Sequence, residues 1–137
     1  MTLLSDFFVA TDDAAQSYDP LQPDGMDRIS SRGISPIELE AFAELIDSRP
    51  PFERAEACTT PFASIDGGEQ IISKLSPWFV RQLAELPAES ANSLGREWLV
   101  ESELPASRKR KSLVEFLGDL SRDAIRSGRG VFLWNSL

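Results

Sequence analysis

A chain of 137 residues and 15.2 kDa has the length of one domain, since domains most often run to roughly 100–150 residues. Its residues are 42% hydrophobic, enough to bury a core, and its net charge of −8 opposes non-specific attraction to nucleic acid or an anionic membrane. Histidine is absent and Cys58 is the single cysteine, which excludes His-based triads, Cys–His pairs, His- or Cys-cluster metal sites and intrachain disulfides.

The opening segment Leu3–Ala10 holds the β-favouring run Phe7-Phe8-Val9 and ends at Thr11-Asp12-Asp13, a cap for a brief helical turn. From Tyr18 to Gly33 prolines, glycines, serines and aspartates crowd together without an apolar period, which predicts the longest loop of the chain. Ser35-Pro36-Ile37-Glu38 is a capping box with proline at the first helical position. The helix it opens has Leu39, Phe42 and Ile46 as its apolar stripe and Glu40, Glu44 and Asp47 facing water, and Pro50-Pro51 stops it. Phe62–Ile65 and Gln70–Leu75 flank Asp66-Gly67-Gly68-Glu69, which predicts a β-hairpin.

Ser76-Pro77 caps a further helix with Phe79, Leu83 and Leu86 on one face, and Pro87 separates it from a third carrying Ala91, Leu94 and Trp98. Ser112-Leu113-Val114-Glu115 is a second capping box, followed by the stripe Leu113, Leu117, Leu120 and Ala124 and by Gly128 as a stop. Val131-Phe132-Leu133-Trp134 is apolar at every position, the pattern of a strand buried on both faces. The expected architecture is α+β: one domain over residues 1–137, about four main helices on a small, mostly antiparallel sheet of three to five strands.

The N-terminal strand beginning Met1-Thr2-Leu3-Leu4-Ser5-Asp6-Phe7, the acidic middle, and the ending Leu133-Trp134-Asn135-Ser136-Leu137 resemble small uncharacterised bacterial proteins that end in Leu-Trp-x-Ser-Leu. The resemblance implies a stand-alone bacterial protein and brings no activity or site residues with it.

Charge is spread unevenly. Residues 1–104 carry 7 basic and 19 acidic side chains, and residues 105–137 carry 7 basic and 3 acidic. Asp12, Asp13, Asp19, Asp24 and Asp27 fall within one turn-rich stretch that has the oxygen ligands of a hard-cation site, but Asp24-Gly25 lacks the ligand spacing of a calcium loop, and a solvated loop accounts for it. Arg108-Lys109-Arg110-Lys111 stands directly ahead of the helix expected at Ser112, where cations oppose the macrodipole. A solvated run screened by Glu101, Glu103 and Glu115 is one reading; a contact for an acidic protein or for RNA is the other. Cys58 has no histidine to activate it and reads as a small buried hydrophobe. Asp66–Glu69 and Gly128-Arg129-Gly130 fit neither a phosphate loop nor a dinucleotide fingerprint, and read as a hairpin turn and a helix stop. Trp78, Trp98 and Trp134 read as core anchors, with an exposed place on the last strand also open to Trp134.

With no chemical motif, the expectation is a non-enzymatic interaction module without cofactor or metal. It would bind or inhibit a protein partner, immunity- or antitoxin-like in one version, through the acidic residues Asp12–Asp27 and Glu40, Glu44 and Asp47. A carboxylate-based enzyme around Asp12–Asp27, with or without magnesium, is the alternative, and RNA binding through residues 108–129 the third. The N-terminus has no basic region and Asp6 breaks its apolar stretch, so no secretory signal is expected, and no segment reaches the ~20 apolar residues of a membrane span. The expected compartment is the cytoplasm.

Overall fold

The unbroken apolar run near the C-terminus is explained by its place in the sheet. In the computed structural model, which describes residues 4–16, 28–46, 59–87, 89, 90, 93 and 108–136, the last strand, Gly130–Ser136, lies in the middle of five. In chain order the elements are β1 (Leu4–Ala10), α1 (Asp12–Gln16), β2 (Arg28–Arg32), α2 (Pro36–Ile46), β3 (Thr59–Ile65), β4 (Gln70–Leu75), α3 (Pro77–Glu85), α4 (Arg108–Ser127) and β5 (Gly130–Ser136). The sheet order is β2-β1-β5-β4-β3, and every neighbouring pair is antiparallel. The α+β class and the antiparallel sheet are as expected.

Alternation along the strands sorts side chains into two layers. Phe7 and Val9 of β1, Leu75 of β4 and Val131 and Leu133 of β5 join Leu39, Phe42 and Ala43 of α2, Phe79 and Leu83 of α3, and Leu117, Leu120 and Ala124 of α4 in the larger core. Phe8, Ala10, Ile72, Phe132 and Trp134 point to the opposite face, where Ala14 and Ala15 of α1 and Phe62 and Ala63 of β3 pack on them. Phe132 stacks on Phe8 with centroids 5.5 Å apart and takes Phe62 edge-on at 4.9 Å. Such pairs add about 0.5–1.5 kcal/mol each beyond area burial. Trp134 is buried, and its Nε1 donates to Gln70 Oε1 at 3.0 Å, so it occupies the core position and not the exposed one. Trp78 is half-buried and stacks on Phe79.

Several local signals act as their chemistry requires, whereas Ser76, ahead of Pro77, makes no side-chain capping bond. Thr11 caps α1, its Oγ1 accepting from Ala14 N–H at 3.2 Å. The Ser35 N–H donates to Glu38 Oε2 at 3.1 Å, Ser35 Oγ accepts from Ile37 N–H at 3.2 Å, and the Ser35 hydroxyl meets Glu38 Oε2. The hairpin turns through Gly67 and Gly68, with φ of 67° and 96°. Pro77 opens α3, and Leu86 and Pro87 follow its end.

Four expectations are corrected. The stretch 18–33 is not loop throughout, because Arg28–Arg32 forms β2; one apolar residue in five leaves no period to read, and the strand exists through its ladder with β1. β3 starts at Thr59, three residues early, and accepts Pro61 because it is an edge strand with a register shift between Pro61 and Ala63. The basic run 108–111 is not ahead of a helix but forms the first turn of α4, and Ser112 lies inside it. Arginine and lysine are strong helix formers, and that propensity continues the helix beyond the second capping box. Glu40, expected to face water, is half-buried. The expected helix bearing Ala91, Leu94 and Trp98 and the residues Tyr18, Cys58 and Pro50-Pro51 lie outside the described residues.

Candidate functional site

The topology gathers three strand–helix junctions at one end of the sheet. Because β5 runs antiparallel between β1 and β4, its first residue lies where both neighbours end: Gly130 pairs with Ala10 at the end of β1, and Phe132 with Lys74 near the end of β4. A cleft of about 720 Å³ opens there, within the range of roughly 300–1,000 Å³ usual for ligand pockets. β1 delivers Thr11, Asp12 and Asp13 to it, β4 and α3 deliver Lys74, Pro77, Val80 and Arg81, and the α4–β5 turn delivers Ile125 and Arg129.

Each side chain is placed by its element. Lys74 donates from Nζ to Asp12 Oδ1 at 2.7 Å, and the same nitrogen lies 5.6 Å from the centroid of the Phe132 ring. Asp12 is 60% exposed, so solvent screening keeps this pair within about 0–1 kcal/mol. Arg81 stands on the exposed side of α3, one residue after the buried Val80. Arg129 is half-buried, and its Nε donates to Ser127 Oγ at 2.8 Å, while the Ser127 hydroxyl donates to the Asp123 carbonyl at 2.8 Å. The relay holds the guanidinium beside the cleft by its Nε, and its terminal N–H groups have no partner among the described residues. The turn itself is a helix stop of the Schellman kind: Arg129 N–H donates to Ala124 O at 2.9 Å and Gly128 N–H to Ile125 O at 3.3 Å, with Gly128 at φ 69°. Leu75, Val80 and Ile125 give the cleft an apolar floor, of which Ile125 remains 52% exposed.

Of the residues singled out in the sequence, Asp12 and Asp13 reach this cleft and are exposed. Glu40 sits on α2, outside the lining, and Glu44 is on the same helix one turn further. Asp19, Asp24, Asp27 and Asp47 lie outside the described residues. Arg108, Lys109, Arg110 and Lys111 are backbone positions of the first turn of α4, at the end of that helix remote from the cleft. Lys74 and Arg81 were not singled out. Their only mark is being cations within the acid-rich part of the chain, which says nothing of position. Among the described residues no group of three or more His, Cys, Asp or Glu is placed to hold a metal ion, and no helix is long and apolar enough to cross a membrane.

Comparison of the chain with protein-family models, with curated proteins and with solved structures finds no match in any of the three.

Proposed function

We propose that the protein is an interaction module that binds another protein, in one version inhibiting it as an immunity protein or antitoxin does, and that the cleft end of the sheet is its contact surface. The observation that carries this reading is the charge layout of the cleft: Asp12 and Asp13 on the β1–α1 side, Arg81 and Arg129 from α3 and the α4–β5 turn, and an apolar floor between them. Charges of both signs around an apolar centre set the register of a partner and steer its approach, while the floor gives an anchor residue somewhere dry to sit.

The test is site-specific photo-crosslinking in host lysate from position 77, where the exposed Pro77 lines the cleft, with position 69 as control. Glu69 is exposed in the β3–β4 turn, at the end of β4 opposite the cleft. The expected result is one protein species captured from position 77 and not from 69, with capture falling as salt rises. Identical capture from both positions, or none from 77, removes the reading.

A further inference from the structure

We infer that the cleft receives the free C-terminal carboxylate of a partner polypeptide whose last residue is apolar. This rests on the interaction reading above and names the chemistry of the anchor. In a chain with 22 acidic and 14 basic side chains, the charged residues lining the cleft are three cations and two acids. Lys74 is matched by Asp12. Among the described residues Arg81 and Arg129 have no carboxylate partner, and the Ser127 relay holds Arg129 by its Nε only. A planar guanidinium offers two parallel N–H groups to a carboxylate, the geometry of the strong bidentate pair.

The floor narrows the choice of anion. Ile125 is half exposed beside the buried Leu75 and Val80, so a ligand that is all charge leaves this apolar surface in water. A terminal residue carries its carboxylate and its apolar side chain on one carbon and satisfies both. An internal Asp or Glu brings only one or two methylenes to the floor. Asp13, which is exposed and lines the cleft, repels a carboxylate, so its removal strengthens binding if an anion sits there.

The experiment uses the full chain and three probes: acetyl-Ala-Ala-Leu-Leu with a free C-terminus, the same peptide as its C-terminal amide, and octanoate. Binding is measured by calorimetry and by amide chemical shifts of cleft residues. The free acid is expected to bind at least about tenfold more tightly than the amide, and Arg81→Gln and Arg129→Gln each to weaken it about five- to tenfold. Both variants should keep the wild-type Tm to within a few degrees. Asp13→Asn is expected to tighten binding, a change of sign that a merely structural role does not give. Equal binding of acid and amide, or insensitivity to both arginine variants, overturns the proposal. Octanoate binding without peptide binding overturns the polypeptide source. If position 77 crosslinks a partner while the peptide acid fails to bind, the terminal anchor falls and the interaction reading stands; peptide binding without a crosslinked partner supports the anchor and counts against that reading.

Discussion

Asn135 joins three segments that are far apart in the chain. Its Nδ2 donates to Ile34 O at 2.7 Å, and to Leu4 O and Ser5 Oγ at 3.2 Å each, while Ser5 Oγ donates to Ile34 O at 2.8 Å and accepts from Ile34 N–H at 3.1 Å. Ser5, Ile34 and Asn135 are buried. The network ties β1 and β5 to the segment that leads into α2, and it supplies partners to the backbone of Ile34, which lies outside any strand or helix. Asn135→Ala should cost about 1–2 kcal/mol, because it removes the donor that Leu4 O, Ser5 Oγ and Ile34 O share. Asn135→Asp should cost more, since it turns a carboxylate toward two carbonyl oxygens. Urea unfolding of the three proteins checks both, and Asp milder than Ala contradicts the account. Ser121 is the opposite case: fully buried on α4, its hydroxyl has no hydrogen-bond partner among the described residues. Ser121→Ala should therefore leave stability unchanged or raise it, by up to about 1 kcal/mol.

At the scale of elements, the capping box at Ser35 and the stop at Gly128 do what their sequences announce, because a cap is satisfied within four residues and needs nothing from the rest of the fold. Glu38→Ala should cost about 1 kcal/mol of stability. Gly128→Ala should cost about 1–2 kcal/mol, since φ of 69° strains any residue with a Cβ. It should also displace Arg129, so an Asn at 128, which tolerates this conformation better, is expected to recover part of the loss. Thermal melts of Gly128→Ala and Gly128→Asn distinguish this from a simple packing effect, for which the larger Asn would be the worse. The second capping box, at Ser112, shows the limit of such signals. α4 begins at Arg108, so the box sits inside a helix that propensity and packing carry past it. β2 shows the same limit from the other side: Arg28-Ile29-Ser30-Ser31-Arg32 has no strand signature, and its ladder with Leu4–Phe8 is what makes it a strand.

At the scale of the molecule, electrostatics predicts salt effects of opposite sign on folding and on binding. The ion pairs Lys74–Asp12, Arg122–Asp119 and Arg126–Asp123 are on the surface, and such pairs contribute about 0–1 kcal/mol each. The net charge of −8 repels itself throughout. Raising salt from about 0.02 to 0.5 M should therefore raise Tm by screening that repulsion, while partner capture through the cleft weakens. A Tm that falls with salt would show that the surface pairs dominate instead.

Residue patterns alone were enough for the α+β class, the central burial of Val131–Trp134, the hairpin at Gly67-Gly68 and the two helix signals that act locally. Each depends on periodicity or on contacts within a few residues, so each is written in a short window of chain. The cleft is of another kind. Asp12, Lys74 and Arg129 are separated by most of the chain and meet because β5 runs antiparallel between β1 and β4, bringing the start of one strand to the ends of two others. No window of sequence holds that information. Strand order is set by which faces bury together once the whole chain collapses, and so the two aspartates legible as candidates acquired their cationic counterparts, Lys74, Arg81 and Arg129, only in the tertiary structure.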